Sequence, residues 1–185
     1  MIIINEALRP TIKEKPFSQN NIIAINSALK LENKCSWACH NVENYCRNHH
    51  VKILKNYLHI SDPIYFGTIQ LLLSTGKYKT ANVAILVIFI PLLMYLLLIK
   101  SLSLQREIKK AKVSKMSGLF LLFMGNMVTQ VYFYCTNFII NLANLLGLSY
   151  YEINFFIFCV IYPFLLFSLL LIFVVQRVRL VRKLQ

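Results

Sequence analysis

Three uncharged apolar runs, residues 83–99, 118–148 and 153–175, limit this chain more than any other feature. A helix rising 1.5 Å per residue needs about 20 apolar residues to cross roughly 30 Å of hydrocarbon. The third run has that length. The first ends at Lys100 and reaches it if that lysine snorkels to the interface, with Pro91 bending the helix. The second is longer than a bilayer is thick, so it must tilt, kink or project beyond it. With 57% hydrophobic and 15% charged residues, the chain reads as an all-α integral membrane protein with three transmembrane helices in 81–185.

The formal net charge of +13 reinforces this reading. Lys100, Arg106, Lys109, Lys110, Lys112 and Lys115 lie between the first two runs, and Arg177, Arg179, Arg182 and Lys183 follow the third. Basic residues beside apolar spans mark the cytoplasmic side, so the 100–117 loop and the C-terminus are expected there, in a multi-pass cell-membrane protein. The lipid bilayer is the expected partner, together with another membrane protein or a second copy of the chain. No nucleic-acid partner is expected, because neither a binding motif nor a compact basic domain is present. An odd number of spans puts the N-terminal segment outside. Residues 1–20 have none of the features of a secretory leader, so this orientation expects a leader upstream of Met1, the alternative being a reversed topology.

Before the spans, residues 1–61 read as an extracytoplasmic arm. Pro10 and Pro16 make its start irregular, Ile22, Ile23 and Ile25 suggest a short apolar contact, and 27–57 permits one or two helices. Residues 62–80 follow as an interfacial helix and turn: Ser61 or Asp62 would cap a helix with Pro63 in its first turn, too short to cross a bilayer.

The arm carries the only concentration of reactive side chains. Residues 35–59 hold Cys35, Cys39 and Cys46 and all four histidines, His40, His49, His50 and His59. A straight helix would spread Cys35, Cys39, Cys46 and His50 along one face, over roughly 22 Å, too far apart to share one ion. A bend in the Asn-rich stretch between Cys39 and Cys46 changes that. It permits a disulfide between Cys39 and Cys46, with Cys35–Cys46 as the competing pair, or a zinc knuckle using Cys39, Cys46, His49 and His50. The expectation is a disulfide-stabilised loop without a cofactor, with zinc as the alternative. Cys35 to His40 also resembles the covalent haem-attachment signature C-x-x-C-H, with one residue too many; haem is not expected.

A second pattern lies in the middle apolar run. Asn126, Gln130, Asn137, Asn141 and Asn144 fall on one helical face, where amides facing lipid would be costly, so the stripe is expected to face another helix or a polar cavity, most simply locking helices together or binding a partner subunit. Tyr150 and Tyr151 read as interfacial anchors and Glu152 as a carboxylate favourable at a helix start. Catalytic residues cannot be named: no nucleophile elbow, phosphate-binding glycine loop or carboxylate pair occurs. The expected function is that of a non-enzymatic subunit or accessory protein, the alternative a membrane-bound metal or haem redox protein.

Overall fold

The computed structural model describes residues 1–74, 76–109 and 126–184. The N-terminal segment begins with α1 (Ile2–Leu8) and a 3-10 turn at Arg9–Thr11. A short antiparallel hairpin follows, β1 (Ser18–Gln19) paired with β2 (Ile22–Ile23). Its two-residue turn puts Asn20 and Asn21 at positive φ, 51° and 61°, a conformation asparagine tolerates and two-residue hairpins require. Ile25 is buried as expected of an apolar contact, whereas Ile23 points outward, 73% exposed. In 27–57 the only helical pieces are α2 (Ala38–Asn41), α3 (Tyr45–His49) and a 3-10 turn at Leu54–Tyr57.

Next comes α4 (Leu58–Leu73), which starts earlier than Ser61 and Asp62 suggest, so that Pro63 lies inside the helix. A distant side chain accounts for the difference. The Glu152 Oε1 atom accepts the backbone amides of Lys52, Ile53 and Leu54 at 3.0, 2.5 and 2.9 Å. Those are amides at the start of the helical stretch that need a partner from outside it. Ser61 and Asp62, freed from capping, receive the Tyr151 hydroxyl instead, and Asp62 also pairs with Arg47 at 2.6 Å.

Two long helices follow. The first runs through α5 (Tyr78–Ala81), a π-helical segment at Asn82–Phe89, and α6 (Ile90–Lys109). Preceding the second is α7 (Asn126–Leu146), closed by Gly147 at φ 66°, where the Leu148 amide returns to the Ala143 carbonyl. The second long helix runs through α8 (Tyr150–Asn154), another π-helical segment at Phe155–Ile161, and α9 (Tyr162–Leu184). Each π segment ends just before a proline, Pro91 or Pro163. A proline ring clashes with the carbonyl four residues back, and widening the preceding turn relieves the clash.

Among the described residues, Tyr78–Ser103 and Tyr150–Arg182 are long and apolar enough to cross a membrane. They run in the same direction: Phe158 packs with Ala81 and Leu86 near their starts, and the Ser101 hydroxyl donates to Gln176 Oε1 at 2.8 Å near their ends. Of the expected middle span, residues 118–125 lie outside the described residues, as do Lys110, Lys112 and Lys115 of the basic loop.

The core gathers on α7. Phe133, Ile140 and Ala143 pack under Trp37, Ala24 and Phe17 of the N-terminal segment, with the Trp37 and Phe133 rings 4.7 Å apart. The amide stripe turns toward this segment. Asn137 Oδ1 collects the Ile25 and Asn26 amides, the Asn26 side chain and the Trp37 indole N–H at 3.0 to 3.3 Å. Asn141 joins Asn26 to Asn5, and Asn144 holds the backbone of Cys35 from both sides, accepting its amide at 2.7 Å and donating to its carbonyl at 3.0 Å. Gln130 is exposed, away from this contact, and the Asn126 side chain lies outside the described residues. Asn137 and Asn144 thus bind irregular backbone, whose unpaired amides need acceptors, while Asn141 bonds two asparagine side chains, one of them Asn5 on helix α1. Asn137→Ala should cost about 2 to 4 kcal/mol, because several buried donors lose their acceptor at once. Chemical denaturation followed by Trp37 fluorescence measures this; a loss under about 0.5 kcal/mol would show those donors to be satisfied elsewhere.

Candidate metal centre

Two pairs of residues spaced four apart build the centre. Cys35 and Cys39 flank the start of α2, where the Ser36 hydroxyl accepts the Ala38 amide and starts the turn. Cys46 and His50 span α3 and share one face, as residues four apart on a helix do. Between the pairs, Val42 is extended and Asn44 is left-handed at φ 56°, which reverses the chain and lays one pair over the other.

The result is a buried cluster in which the Cys35, Cys39 and Cys46 sulfurs and one His50 nitrogen all lie within 4.8 Å of one another. His50 Nδ1 is 3.1 Å from Cys39 Sγ and 3.6 Å from Cys35 Sγ, and the Cys35 and Cys46 sulfurs are 4.0 Å apart. Tetrahedral zinc with Zn–S bonds of about 2.3 Å places its sulfurs about 3.8 Å apart, so this set could hold such an ion with little movement.

The surroundings suit a ligand set as well. His50 Nε2 lies 2.8 Å from the Leu31 carbonyl, which can only accept, so Nε2 carries a proton and Nδ1 is the ring atom that faces the sulfurs. The Tyr150 amide donates to Cys35 Sγ at 3.2 Å, and Asn144 clamps the same residue's backbone. The Cys39 and Cys46 thiols, with that amide, draw the Cys35 thiol down to about 3 against the opposing effect of burial. In return Cys39 is pushed up to about 12 by the Cys35 thiolate, and Cys46 is pushed up for the same reason. The cluster thus favours the thiolate at Cys35 and the thiols at Cys39 and Cys46.

Cys39, Cys46 and His50 thus meet as the zinc alternative required, but its fourth member is corrected. His49 is exposed and donates from Nδ1 to the Tyr45 carbonyl at 2.9 Å, one residue off the ligand face of α3, and Cys35 takes its place. All five cysteines are free, so neither Cys39–Cys46 nor Cys35–Cys46 forms a disulfide; the three thiols converge on a common point with His50 instead of pairing. Cys135 and Cys159 stand apart. The haem-like reading fails at His40, whose two ring nitrogens are engaged by the Tyr132 and Tyr150 hydroxyls at 2.7 and 2.9 Å. Burial, aided by the Lys79 charge, pushes that imidazole down to about 4.

Three contributors escape sequence reasoning. Tyr132 and Tyr150 look like membrane aromatics, and Glu152 like a dipole partner, until folding joins them to residues about a hundred positions away. Glu152 has one local signal, Ser149 three residues earlier. The two form a reciprocal capping box at the start of α8.

Comparison with protein-family models, curated proteins and solved structures finds no match to this chain.

Proposed function

We propose that this chain is a membrane-anchored zinc protein, in which a closed Cys35–Cys39–Cys46–His50 centre staples the N-terminal segment to the start of the last membrane helix. The observation that carries the reading is the convergence of three thiols and one correctly oriented imidazole in a buried site. Four protein ligands leave no open coordination position, which favours a structural ion over a catalytic one. The role is then that of a non-enzymatic subunit or accessory protein, presenting a rigid module at the bilayer surface to a membrane partner.

The parallel course of the two long helices supports three crossings. If both cross the bilayer, the chain between them must cross back. The basic residues around 100–117 and after 176 would then be cytoplasmic and the zinc module on the other side.

A second reading is favoured by the 4.0 Å separation of the Cys35 and Cys46 sulfurs. In an oxidising compartment these could join as a disulfide and exclude the metal. Metal analysis of protein purified without chelator, with a thiol count after unfolding, separates the two. One zinc per chain and five titratable thiols are expected; no metal and two missing thiols would sink the zinc reading.

The charge state of the cluster adds a quantitative expectation. Cys35 is held toward the thiolate while Cys39 and Cys46 are held protonated, so loading zinc at pH 7 should displace at least about two protons, those of Cys39 and Cys46. Calorimetric titration of zinc in buffers of different ionisation enthalpy reads this number directly. Release of no protons would contradict the assigned charge.

A further inference from the structure

A cavity of about 280 Å³ lies between the bend that joins α2 to α3, the middle of α4 and the start of α8. Val42 and Asn44 of the bend are exposed, so the cavity opens to the surface there, with Ile69 of α4 in its wall and His40 along its edge. Two members of the metal centre line it as well. They are Cys39 and Cys46; Cys35 and His50 do not take part.

Other contacts hold those two ligands. The Tyr150 amide donates to Cys35 Sγ at 3.2 Å, Asn144 clamps the Cys35 backbone, and His50 Nε2 is tied to the Leu31 carbonyl. The ligand set therefore meets open space along one edge, that of Cys39 and Cys46. This edge decides how an ion could leave. Zinc held by four protein ligands forfeits all of its binding energy if it departs unaided, so unaided departure is slow. An incoming donor avoids that loss by bonding the ion as a fifth ligand before a sulfur lets go, a coordination number zinc tolerates transiently.

We propose that zinc in this centre is exchangeable through the cavity, by direct transfer to a small ligand with nitrogen or sulfur donors. The donor bonds the ion, the bond from zinc to Cys46 or Cys39 breaks, and the freed thiolate takes a proton from water. Cys35 and His50 let go last. The inference rests on the zinc reading above: protein purified without zinc fails that reading, whereas zinc that is bound but not reached by this route fails only this one.

The probe is the chromogenic chelator pyridylazoresorcinol, added in excess to the zinc-loaded full chain in detergent, with transfer followed by the colour of its zinc complex. The rate should rise in proportion to chelator concentration. Val42→Trp, which narrows the cavity without touching a ligand, should keep one zinc per chain and slow transfer about tenfold, because a packed side chain must move aside. If that variant does not fold or load, Ile69→Trp narrows the cavity from α4. Iodoacetamide present during transfer, at less than one label per chain on the three ligand cysteines, should mark Cys46 or Cys39 before Cys35. A rate independent of chelator concentration, an unchanged rate in a folded and zinc-loaded narrowed variant, or labelling of Cys35 first would each overturn the proposal.

Discussion

Replacing Cys46 by serine should leave the purified protein without stoichiometric zinc, whereas His49→Ala should keep it. Cys46 contributes one of three buried sulfurs, while His49 is exposed and faces away. Losing an outer partner of a metal ligand already costs about 10–100-fold in affinity, so losing a ligand should cost more than about 100-fold. The consequence extends to folding. The N-terminal segment has little regular structure of its own, and apparent zinc-binding energies of about 10–16 kcal/mol enter directly into the stability of such metal-dependent folds. In Cys46→Ser the 17–57 region should therefore gain amide exchange and protease sensitivity, while the long helices stay helical. Metal content read alongside hydrogen exchange checks both halves. Zinc retained in Cys46→Ser, or lost in His49→Ala, would show that the ligand set is a different one.

Glu152→Ala should be the most damaging substitution outside the metal centre, by about 3 to 5 kcal/mol. The Glu152 carboxylate is fully buried. One oxygen accepts the amides of Lys52, Ile53 and Leu54, and the other the Ser149 amide and hydroxyl at 2.9 and 2.7 Å. Alanine removes the acceptor from all of these donors, of which the Leu54 amide and the Ser149 amide and hydroxyl are buried. Glu152→Gln keeps the volume but turns an acceptor-only group into one with an NH₂ that opposes the Ser149 amide, so it should recover only part of the loss. Because the contact joins the N-terminal segment to the start of α8, the failure should be local at first. Trypsin should cut after Lys52 and Lys55 well before global unfolding. Equal protease resistance in wild type and Glu152→Ala would show that the junction is held by other contacts.

These two sites differ in how far they can be read from the amino-acid sequence. At the metal centre, the four-residue spacings of Cys35–Cys39 and Cys46–His50 are visible, and so is the Asn-rich stretch between them. What stays hidden is that Asn44 adopts a left-handed conformation, and therefore that Cys35, not His49, completes the set. At the Glu152 junction almost nothing is visible beyond the Ser149–Glu152 capping pair, because three of the bound amides belong to backbone that any residue could supply. The asparagine stripe is intermediate. The burial of Asn137 and Asn141, with Asn144 half-buried, on one face is legible from periodicity, but most of their partners are irregular chain with no sequence signature.

Sequence alone determined the apolar runs, the proline positions in the two long helices, and the four-residue spacings of Cys35–Cys39 and Cys46–His50. Hydropathy, proline sterics and helical spacing are local properties, settled within about one helical turn or one run of residues. Tertiary structure alone decided that the pairs face each other, that Asn144 and the Tyr150 amide hold Cys35, and that His40 is shared by two tyrosines at the edge of a cavity. The facing pairs are only 11 to 15 positions apart, but the contacts that hold Cys35 and His40 join residues about 90 to 115 positions apart. They follow from which buried donors still lacked acceptors once α7 had packed under Trp37, a condition set by the whole fold.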